Sequence, residues 1–358
     1  MSFHSKDRTT MTRFIAHDIL QNFTQTALLR CGVPEMDALA VSECLLEANL
    51  AGVDSHGIVH LSHYLRRLAN GSIKPNPIVQ YSQPRRGILQ VDGGHGLGHA
   101  VMAHAIERGI QICSTEGSVA IVIANSSHFG MAAYHVRKIT EANLVGMVMT
   151  HTDVRIVPAG ARTPFAGTNP IAFGFPSFHD PLILDFATST VPFGKVSVAK
   201  ADGRSIPSDW GLDSYGEPTT DPSKVVGLHP IASHKGSGLA MVIDLFCAIF
   251  SGMPYGPHIN RMFDDLERPR KLGHFVAIWD IGALFPLDEV KRRMESYVSE
   301  LHALPRKDAA VPVHFPGELE AIRRRQRLVG GIPIEPGVLQ DLIKLGQRLN
   351  VGIQGLES

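Results

Sequence analysis

The sequence contains little cysteine, and its cysteines are not spaced as metal ligands usually are. The 358 residues include four of them, Cys31, Cys44, Cys113 and Cys247, with no C-x-x-C pair. Zinc ribbons need closely spaced cysteines, and small disulfide-stabilised domains need a much higher cysteine content. The sequence therefore argues against both classes, and its cysteine usage is typical of a protein in the reducing cytosol.

The sequence also lacks an excess of either charge. Lys plus Arg and Asp plus Glu both number 34, so no net field attracts nucleic acid or an anionic membrane. The short basic run "IRRRQR" is expected to be a solvated helix face. We therefore expect neither a nucleic-acid partner nor a membrane partner.

A hydrophobic run of membrane-spanning length is absent as well. The longest one, "GLAMVIDLFCAIFSG", is interrupted by Asp244 and is shorter than the ~20 residues that a bilayer requires. We expect it to form a buried helix. The first residues, "MSFHSKDRTTMTRF", lack the apolar core of a secretory signal. These features predict a soluble, cytoplasmic protein.

Helical patterns occupy both ends of the chain, and short β-rich runs occupy its middle. Apolar residues at helical spacing predict helices over 14–31, 35–51, 58–68, 287–301 and "GVLQDLIKLGQRL". Candidate strands are "GILQV", "SVAIVIA", "LVGMVMT", "LILDF" and "HFVAIWDI", with helices at about 98–115, 130–142 and 236–250. The strands do not alternate strictly with helices, which argues against a plain parallel βαβ series. We expect "HFVAIWDI" to be a central strand because it does not alternate cleanly between polar and apolar residues.

The first stretch that could carry chemistry is "GVDSHGIVHLSHY". Its His56, His60 and His63 lie at i, i+4 and i+7, so on a helix they would share one face and could hold a metal. Gly57 falls within this spacing and makes His56 more typical of a turn that precedes a helix. Ordinary N-capping by a neighbouring polar residue is the competing interpretation. A metal-dependent hydrolase that uses these three histidines remains an alternative.

The second stretch is "ANSSHFGMAAYH", which places His128 directly after the strand "SVAIVIA". Loops at the carboxyl ends of strands commonly present catalytic side chains in α/β proteins. Histidine, with an ordinary pKa of ~6.5, can take up and return a proton near neutral pH. Taken alone, the position is more typical of a structural histidine.

Two glycine-containing stretches resemble phosphate-binding turns. "GGHGLGHA" has the spacing G-x-G-x-G and not G-x-G-x-x-G, and no acidic residue ends a strand about 20 residues later. We therefore predict a glycine-rich turn into a helix there and no dinucleotide fingerprint. "ASHKGSGLAMVIDLF" places a Lys beside a Gly at the start of a helix, where free N–H groups and the helix dipole favour phosphate. Many helices begin in this way, so this signal is weak.

Taken together, these stretches form a recognisable series. "SHG", "NSSHFG", "GTNPIAFGFP", "LDFATS", "SIPSDWGLD", "PTTDP", "HKGSGLAMVIDLFCAIFSG" and "FPGE" occur in this order. From about residue 14 to 345 the sequence resembles the type-2 malate/L-lactate dehydrogenase family, and "SIPSDWGLDSYGEPTTDP" and "MFDDL" look most like its ureidoglycolate dehydrogenase branch. The resemblance implies a homodimer with an α/β, non-Rossmann NAD(P)-binding fold and a largely antiparallel central sheet. We predict a helical domain from residues 1–77 plus 285–358 and a cofactor-binding α/β domain over 78–284.

The resemblance also implies roles for individual residues. His128 would be the catalytic acid–base, and Ser55 and His56 a second pair that donates the proton in the imine-reducing branch. Tyr64 and Asp153 would face the substrate. The stretches implied to bind NAD or NADP contain His128, Thr152, Asp185, Phe186, Ala187, His234, Lys235, Pro316, Gly317 and Glu318.

The chain departs from the family pattern in the substrate pocket. His60 stands where the motif S-H-G-x-x-R has an arginine that binds the substrate carboxylate, and histidine offers neither a permanent charge nor a fork of donors. We therefore expect Arg155 to supply the missing cation. Ala159 and Ala161 in "VPAGA" replace bulkier or more flexible family residues and reshape the same wall.

The sequence thus predicts an NAD(P)-dependent oxidoreductase that transfers a hydride between a nicotinamide and a small 2-hydroxy acid or its 2-oxo counterpart. A reductase of a cyclic imino acid or a diketo acid is an alternative. Lys195, where the imine reductases would have a carboxylate, favours the hydroxy acid. A metal-dependent hydrolase and a cofactor-binding protein without catalysis remain further alternatives.

Overall fold

The computed structural model describes residues 12–357 of the chain. Its strands are β1 (Arg13–Ile15), β2 (Gln80–Arg85), β3 (Ile88–Asp92), β4 (Ser118–Ser126), β5 (Val145–Thr150), β6 (Ile171–Phe175), β7 (Leu182–Phe186), β8 (Gly211–Leu212), β9 (Pro218–Thr219), β10 (Gly227–Leu228), β11 (Leu272–Trp279) and β12 (Ile332–Ile334). Its α-helices are α1 (His17–Arg30), α2 (Glu35–Leu50), α3 (Leu61–Ala69), α4 (Gly98–Glu116), α5 (Ala132–Glu141), α6 (Phe193–Ala201), α7 (His234–Asp244), α8 (Leu287–His302), α9 (Glu318–Gly330), α10 (Pro336–Leu349) and α11 (Gln354–Glu357). The predicted mixed α/β chain is confirmed.

A seven-stranded sheet lies at the centre of the fold, in the order β2-β3-β4-β11-β5-β6-β7. β3 and β4 pair in parallel, and the other neighbours in this sheet pair antiparallel. β11, which contains the predicted strand "HFVAIWDI", is the middle strand, and its residues from Leu272 to Ile278 are all buried. The prediction of a central strand is confirmed, because a strand covered on both faces has no reason to alternate.

Successive residues of β11 point to opposite faces of this sheet, and helices cover both faces. On one face Val276 and Ile278 join a core that includes residues of α4 and α5. On the other face Phe275 and Ala277 pack with Ile243 of α7 and with the turn that follows it. The sheet is therefore the middle layer of three.

α7 differs from the buried helix that its apolar sequence predicts. The α-helix ends at Asp244 and continues as a π-helical turn over Leu245–Ile249. Asp244 is buried and hydrogen-bonds His151 Nδ1 at 3.1 Å. One side of the segment lies in the core, whereas several of its apolar side chains are exposed: Met241, Val242, Leu245, Ile249 and Phe250. The prediction of a fully buried helix is wrong for that side.

The two ends of the chain meet in one hydrophobic core. β1 pairs antiparallel with β12, and residues of α1, α2 and α3 pack with α10 and α11. Phe14 and Ile15 were predicted to begin a helix, but they lie in β1 because they pair with Pro333 and Ile332. The division into a helical and an α/β domain stays a prediction, and its first eleven residues lie outside the described chain.

Several segments have no counterpart among the predicted elements. These are β2, β6, β12, α6, α11 and the three-stranded sheet β10-β8-β9. The predicted helix over 58–68 starts as a 3₁₀ turn, Ile58–His60, and continues as α3; another 3₁₀ turn, Asp54–His56, precedes it. Within residues 12–357, no helix combines the length and the apolar character that crossing a membrane requires.

Candidate active site

A cluster of aromatic rings forms where the loop after β4 meets the turns that precede α3. His128 comes from the loop, His56 and His60 from the 3₁₀ turns, and Tyr64 from the first turn of α3. Their ring centroids lie 5.9 Å (His56), 5.7 Å (His60) and 6.1 Å (Tyr64) from that of His128. The structure therefore brings these four sequence-predicted residues together.

His128 is held through one of its two ring nitrogens. Its Nδ1 is hydrogen-bonded to the hydroxyl of Tyr64 at 2.6 Å, and its Nε2 makes no hydrogen bond to any residue from 12 to 357. Burial lowers the pKa of His128 well below 6.5, and the neighbouring His60 and His56 lower it further. Burial also raises the pKa of Tyr64 well above 10, so its phenol stays protonated. A neutral imidazole with one open nitrogen can accept a proton.

The glycine-rich stretch at 93–98 supports the loop that carries His128. The hydroxyl of Ser127 accepts the N–H of Gly98 and donates to the carbonyl of Gly96, both at 2.9 Å. A Cβ at Gly98 would lie 2.2 Å from the carbonyl oxygen of Ser127 and 2.5 Å from that of His128. The prediction of a turn into a helix is confirmed, since α4 begins at Gly98.

Gly130, two residues after His128, is required by the packing of the loop. Its φ is +80°, and a Cβ there would lie 2.7 Å from Cys44 Sγ and 2.9 Å from the His99 ring. The space that this glycine leaves open is thus filled by protein side chains. It allows the loop to pack on α2 and α4.

The histidines before and within α3 have separate partners. Ser55 Oγ and His56 Nδ1 are 3.1 Å apart, so the implied Ser–His pair is hydrogen-bonded. Burial lowers the pKa of His60 to about 4, which leaves its ring uncharged at neutral pH. Arg67 Nε donates to His63 Nε2 at 3.1 Å. His63 is therefore engaged with α3 itself and does not converge with His56 and His60.

A metal site at these histidines has no support in the structure. Among residues 12–357, no group of three or more His, Cys, Asp or Glu side chains is arranged to hold a metal ion. The i, i+4, i+7 spacing does not place the rings on one helix face, because Gly57 separates two 3₁₀ turns ahead of α3. The metal-dependent hydrolase is left without a site.

Charged residues lie next to this cluster, in the loop after β5. Asp153 Oδ1 accepts from Arg270 Nη2 at 2.8 Å, and Asp153 Oδ2 lies 3.7 Å from Arg155 Nη2. The guanidinium of Arg155 stacks over the ring of Phe193, 4.3 Å from its centroid. Asp153 and Arg155 were predicted from the sequence, whereas Arg270 was not. Its run, "ERPRK", has the polarity of an exposed loop, and only its place directly before a buried strand sets it apart.

The implied cofactor stretches are joined by hydrogen bonds. The N–H of Thr152 donates to Asn169 Oδ1 at 3.0 Å, and the N–H of Thr188 donates to the carbonyl of Thr168 at 2.9 Å. The N–H of Ile231, just before α7, donates to the carbonyl of Thr188 at 2.9 Å. The chain around Thr152, the end of β7 with Phe186 and Ala187, and the start of α7 therefore lie side by side.

The start of α7 has the features of an anion-binding turn. Ala232 and Ser233 have φ values of +47° and +55°, and His234 and Lys235 are exposed at the first helical positions. A Cβ at Gly236 would lie 1.8 Å from the carbonyl oxygen of Ile231, so this position requires glycine. Free N–H groups, the helix dipole and a Lys ammonium meet here, a combination that suits a phosphate.

Two carboxylates of the implied cofactor set have partners within the protein. Asp185 Oδ2 accepts the N–H of Ala133 at 2.8 Å at the start of α5, and burial raises the pKa of Asp185 to about 6. Glu318 Oε2 accepts the N–H of Phe315 at 3.1 Å and also contacts His302 and His314. The "FPGE" turn, with Pro316 and Gly317, lines a cavity of about 680 Å³.

A family model described as malate/L-lactate dehydrogenase matches residues 15–343. The chain belongs to the malate/L-lactate dehydrogenase family. It is 30% identical to malate dehydrogenase of Pyrococcus horikoshii over 96% of both chains. It is 31% identical to ureidoglycolate dehydrogenase (NAD(+)) of Escherichia coli, over 92% of this chain and 95% of that one. The solved sulfolactate dehydrogenase of Methanocaldococcus jannaschii superposes with a TM-score of 0.89 at 27% identity, covering 96% of this chain and 99% of that one.

These similarities confirm the family and the dehydrogenase class that the motifs predict. They cover nearly the whole chain, so the family fold extends from β1 to α10. The roles of the individual site residues stay predictions.

Proposed function

We propose that the protein is an NAD(P)-dependent oxidoreductase that transfers a hydride between a nicotinamide and a small 2-hydroxy acid or its 2-oxo counterpart. The observation that carries this proposal is the geometry of His128. Its Nδ1 is held by Tyr64 at 2.6 Å, and its Nε2 stays open at the carboxyl end of a central strand. Membership of a dehydrogenase family supports the same reaction.

In this proposal His128 moves the proton that accompanies the hydride. Because burial keeps its ring uncharged, Nε2 can take the hydroxyl proton when the acid is oxidised and return it when the oxo acid is reduced. The Tyr64 phenol can donate to Nδ1 or accept from it, so it supports both protonation states of Nε2. The nicotinamide, when bound, supplies the hydride acceptor or donor.

The start of α7 would hold the phosphates of NAD or NADP through Lys235, His234 and the free N–H groups beside them. The segments beside this helix start contain Thr152, Asp185, Phe186 and Ala187. The cavity next to β7 is bordered by Pro316, Gly317 and Glu318. The absence of a G-x-G-x-x-G turn and the single parallel strand pair in the central sheet support a non-Rossmann mode of cofactor binding.

On the substrate side, His60, Tyr64, Asp153 and Arg155 are the predicted contacts. The exposed apolar side of α7 and its π-helical turn supports a homodimer, because apolar patches on a protein surface commonly mark interfaces between subunits. A cytoplasmic location is proposed on the cysteine usage alone. The two-domain division is likewise part of this proposal.

The experiment that tests the function is a dehydrogenase screen with both NAD and NADP. The substrates are malate, lactate, ureidoglycolate, sulfolactate, a diketo acid and cyclic imino acids. We expect turnover of at least one hydroxy acid, loss of it in His128→Asn, and its retention in His17→Asn, a control in α1. Binding of NADH without turnover of any substrate would instead favour a cofactor-binding protein that lacks catalysis.

Reduction of a cyclic imino acid is a second candidate, favoured by the hydrogen bond between Ser55 and His56. If this pair donates the proton, Ser55→Ala should slow imine reduction while hydroxy acid oxidation is kept. If Ser55→Ala loses both activities equally, or loses neither, reduction of a cyclic imino acid by this pair is ruled out.

A further inference from the structure

Arg270 is a buried cation whose donors are mostly without partners. It lies two residues before β11, and 3% of its surface is exposed. Its Nη2 donates to Asp153, but its Nε and Nη1 are buried and contact no acceptor in the described part of the chain. Buried N–H donors in folded proteins almost always have a partner. An acceptor from outside the chain is therefore expected at this guanidinium.

Two other arginines in this region, Arg67 and Arg155, have different contacts. Arg67 is buried, but its Nη atoms donate to Ser72 and to the carbonyl oxygens of Arg261, Met262, Asp265 and Arg268. Arg155 is partly exposed and stacks on Phe193. Of these three guanidinium groups, Arg270 combines burial with unused donors.

The charges around Arg270 favour the binding of an anion. Asp153 is shared between Arg270 at 2.8 Å and Arg155 at 3.7 Å, so one carboxylate faces two guanidinium groups. A second carboxylate would balance this pair of cations and supply the missing acceptors. Arginine is well suited to carboxylates because it stays charged when it is buried.

The loop that carries Arg270 packs against the ring cluster. The ring of Phe263 lies 6.1 Å from that of His60, which in turn lies 5.7 Å from that of His128. The charge of Arg270 contributes to the lowered pKa of His128 and counteracts the raised pKa of Tyr64. Arg270 thus acts electrostatically on the proposed acid–base and on its Tyr64 partner.

We propose that Arg270 binds the carboxylate of the substrate beside His128, in place of the arginine that His60 replaces in the family motif. This inference rests on the proposed function and narrows it to acids. His60 is uncharged at neutral pH and cannot hold an anion by itself. Arg155, the residue predicted from the sequence to have this role, has its guanidinium face covered by Phe193.

The test is the affinity for oxalate, a small unreactive dicarboxylate, measured by calorimetry on the protein with NADH added. We expect the wild type to bind oxalate and Arg270→Met to weaken binding at least tenfold. Arg268→Met, which removes an exposed guanidinium from the same loop, should stay within twofold of the wild type. Arg155→Met should lose at least fivefold less affinity than Arg270→Met.

Three results would overturn the proposal: no oxalate binding by the wild type, an Arg270→Met variant within twofold of it, or an equal loss in Arg155→Met. If Arg270→Met does not fold, Arg270→Lys keeps the charge and should still lose at least threefold relative to Arg268→Lys. Oxalate binding that depends on Arg270, without turnover of any hydroxy acid, would support the anion site and refute the proposed function.

Discussion

The hydrogen bond between Tyr64 and His128 leads to a quantitative prediction for Tyr64→Phe. The two atoms are 2.6 Å apart, and 1% of the surface of Tyr64 is exposed, so water has little access to replace the hydroxyl. Leaving a buried polar atom without a partner costs about 1–3 kcal/mol. If about 2 kcal/mol of this cost falls on the transition state for proton transfer, kcat falls about thirtyfold.

The assay is steady-state turnover of the substrate found in the screen, together with the dissociation constant of the cofactor. Tyr134→Phe is the matched control, because Tyr134 is also buried and donates its hydroxyl to Glu43 at 2.8 Å. Both variants should lose stability, but only Tyr64→Phe should lose turnover, with cofactor binding kept within about threefold. A kcat of Tyr64→Phe within twofold of the wild type would show that the Tyr64 hydroxyl does not assist proton transfer at His128.

Two further predictions concern the packing around the site. Gly98→Ala should lower both the melting temperature and kcat, since its Cβ would meet two carbonyl oxygens of the His128 loop at 2.2 and 2.5 Å. Gly337→Ala, which has open space around it in α10, should lower neither, because alanine favours a helix more than glycine does. A melting temperature of Gly98→Ala equal to that of the wild type would contradict this. Acidification should destabilise the protein, because burial lowers the pKa of His135 from 6.5 to about 4. Below pH 6.5 this side chain is protonated in the unfolded chain, whereas in the folded chain it stays neutral down to about pH 4. Between about pH 8 and pH 5 this group alone should remove about 2 kcal/mol of unfolding free energy, and His135→Gln should reduce that loss in urea titrations at the two pH values. An unchanged pH dependence in His135→Gln would exclude this histidine as a cause.

Local patterns in the sequence were sufficient to predict those parts of the fold that short-range periodicity determines. The apolar run of β11 predicts a central strand, and G-x-G-x-G at 94–98 predicts a turn into a helix. Phe14 and Ile15 were assigned to the wrong element because their partner strand, β12, lies more than 300 residues later in the chain. β-pairing over such a distance leaves no local signature.

In the site, too, local sequence patterns predict some residues, whereas residues that depend on distant partners are missed. The motif around His128 and the series of family motifs identify the ring cluster, since each of these residues lies in a characteristic short stretch. Arg270 was missed because its importance comes from burial and from its distance to Asp153, 117 residues away along the chain. A polar run such as "ERPRK" looks the same whether its arginine faces solvent or a pocket.

The most direct test of the account is a single-turnover measurement of hydride transfer in His128→Asn. The cofactor-loaded protein is mixed with the hydroxy acid found in the screen, and the absorbance of the reduced nicotinamide is followed. If His128 is the acid–base, the rate should be about 10²–10⁴-fold below that of the wild type, with the dissociation constant of the cofactor within about threefold. A rate within about threefold of the wild type would contradict it, since the proton would then be moved by another group.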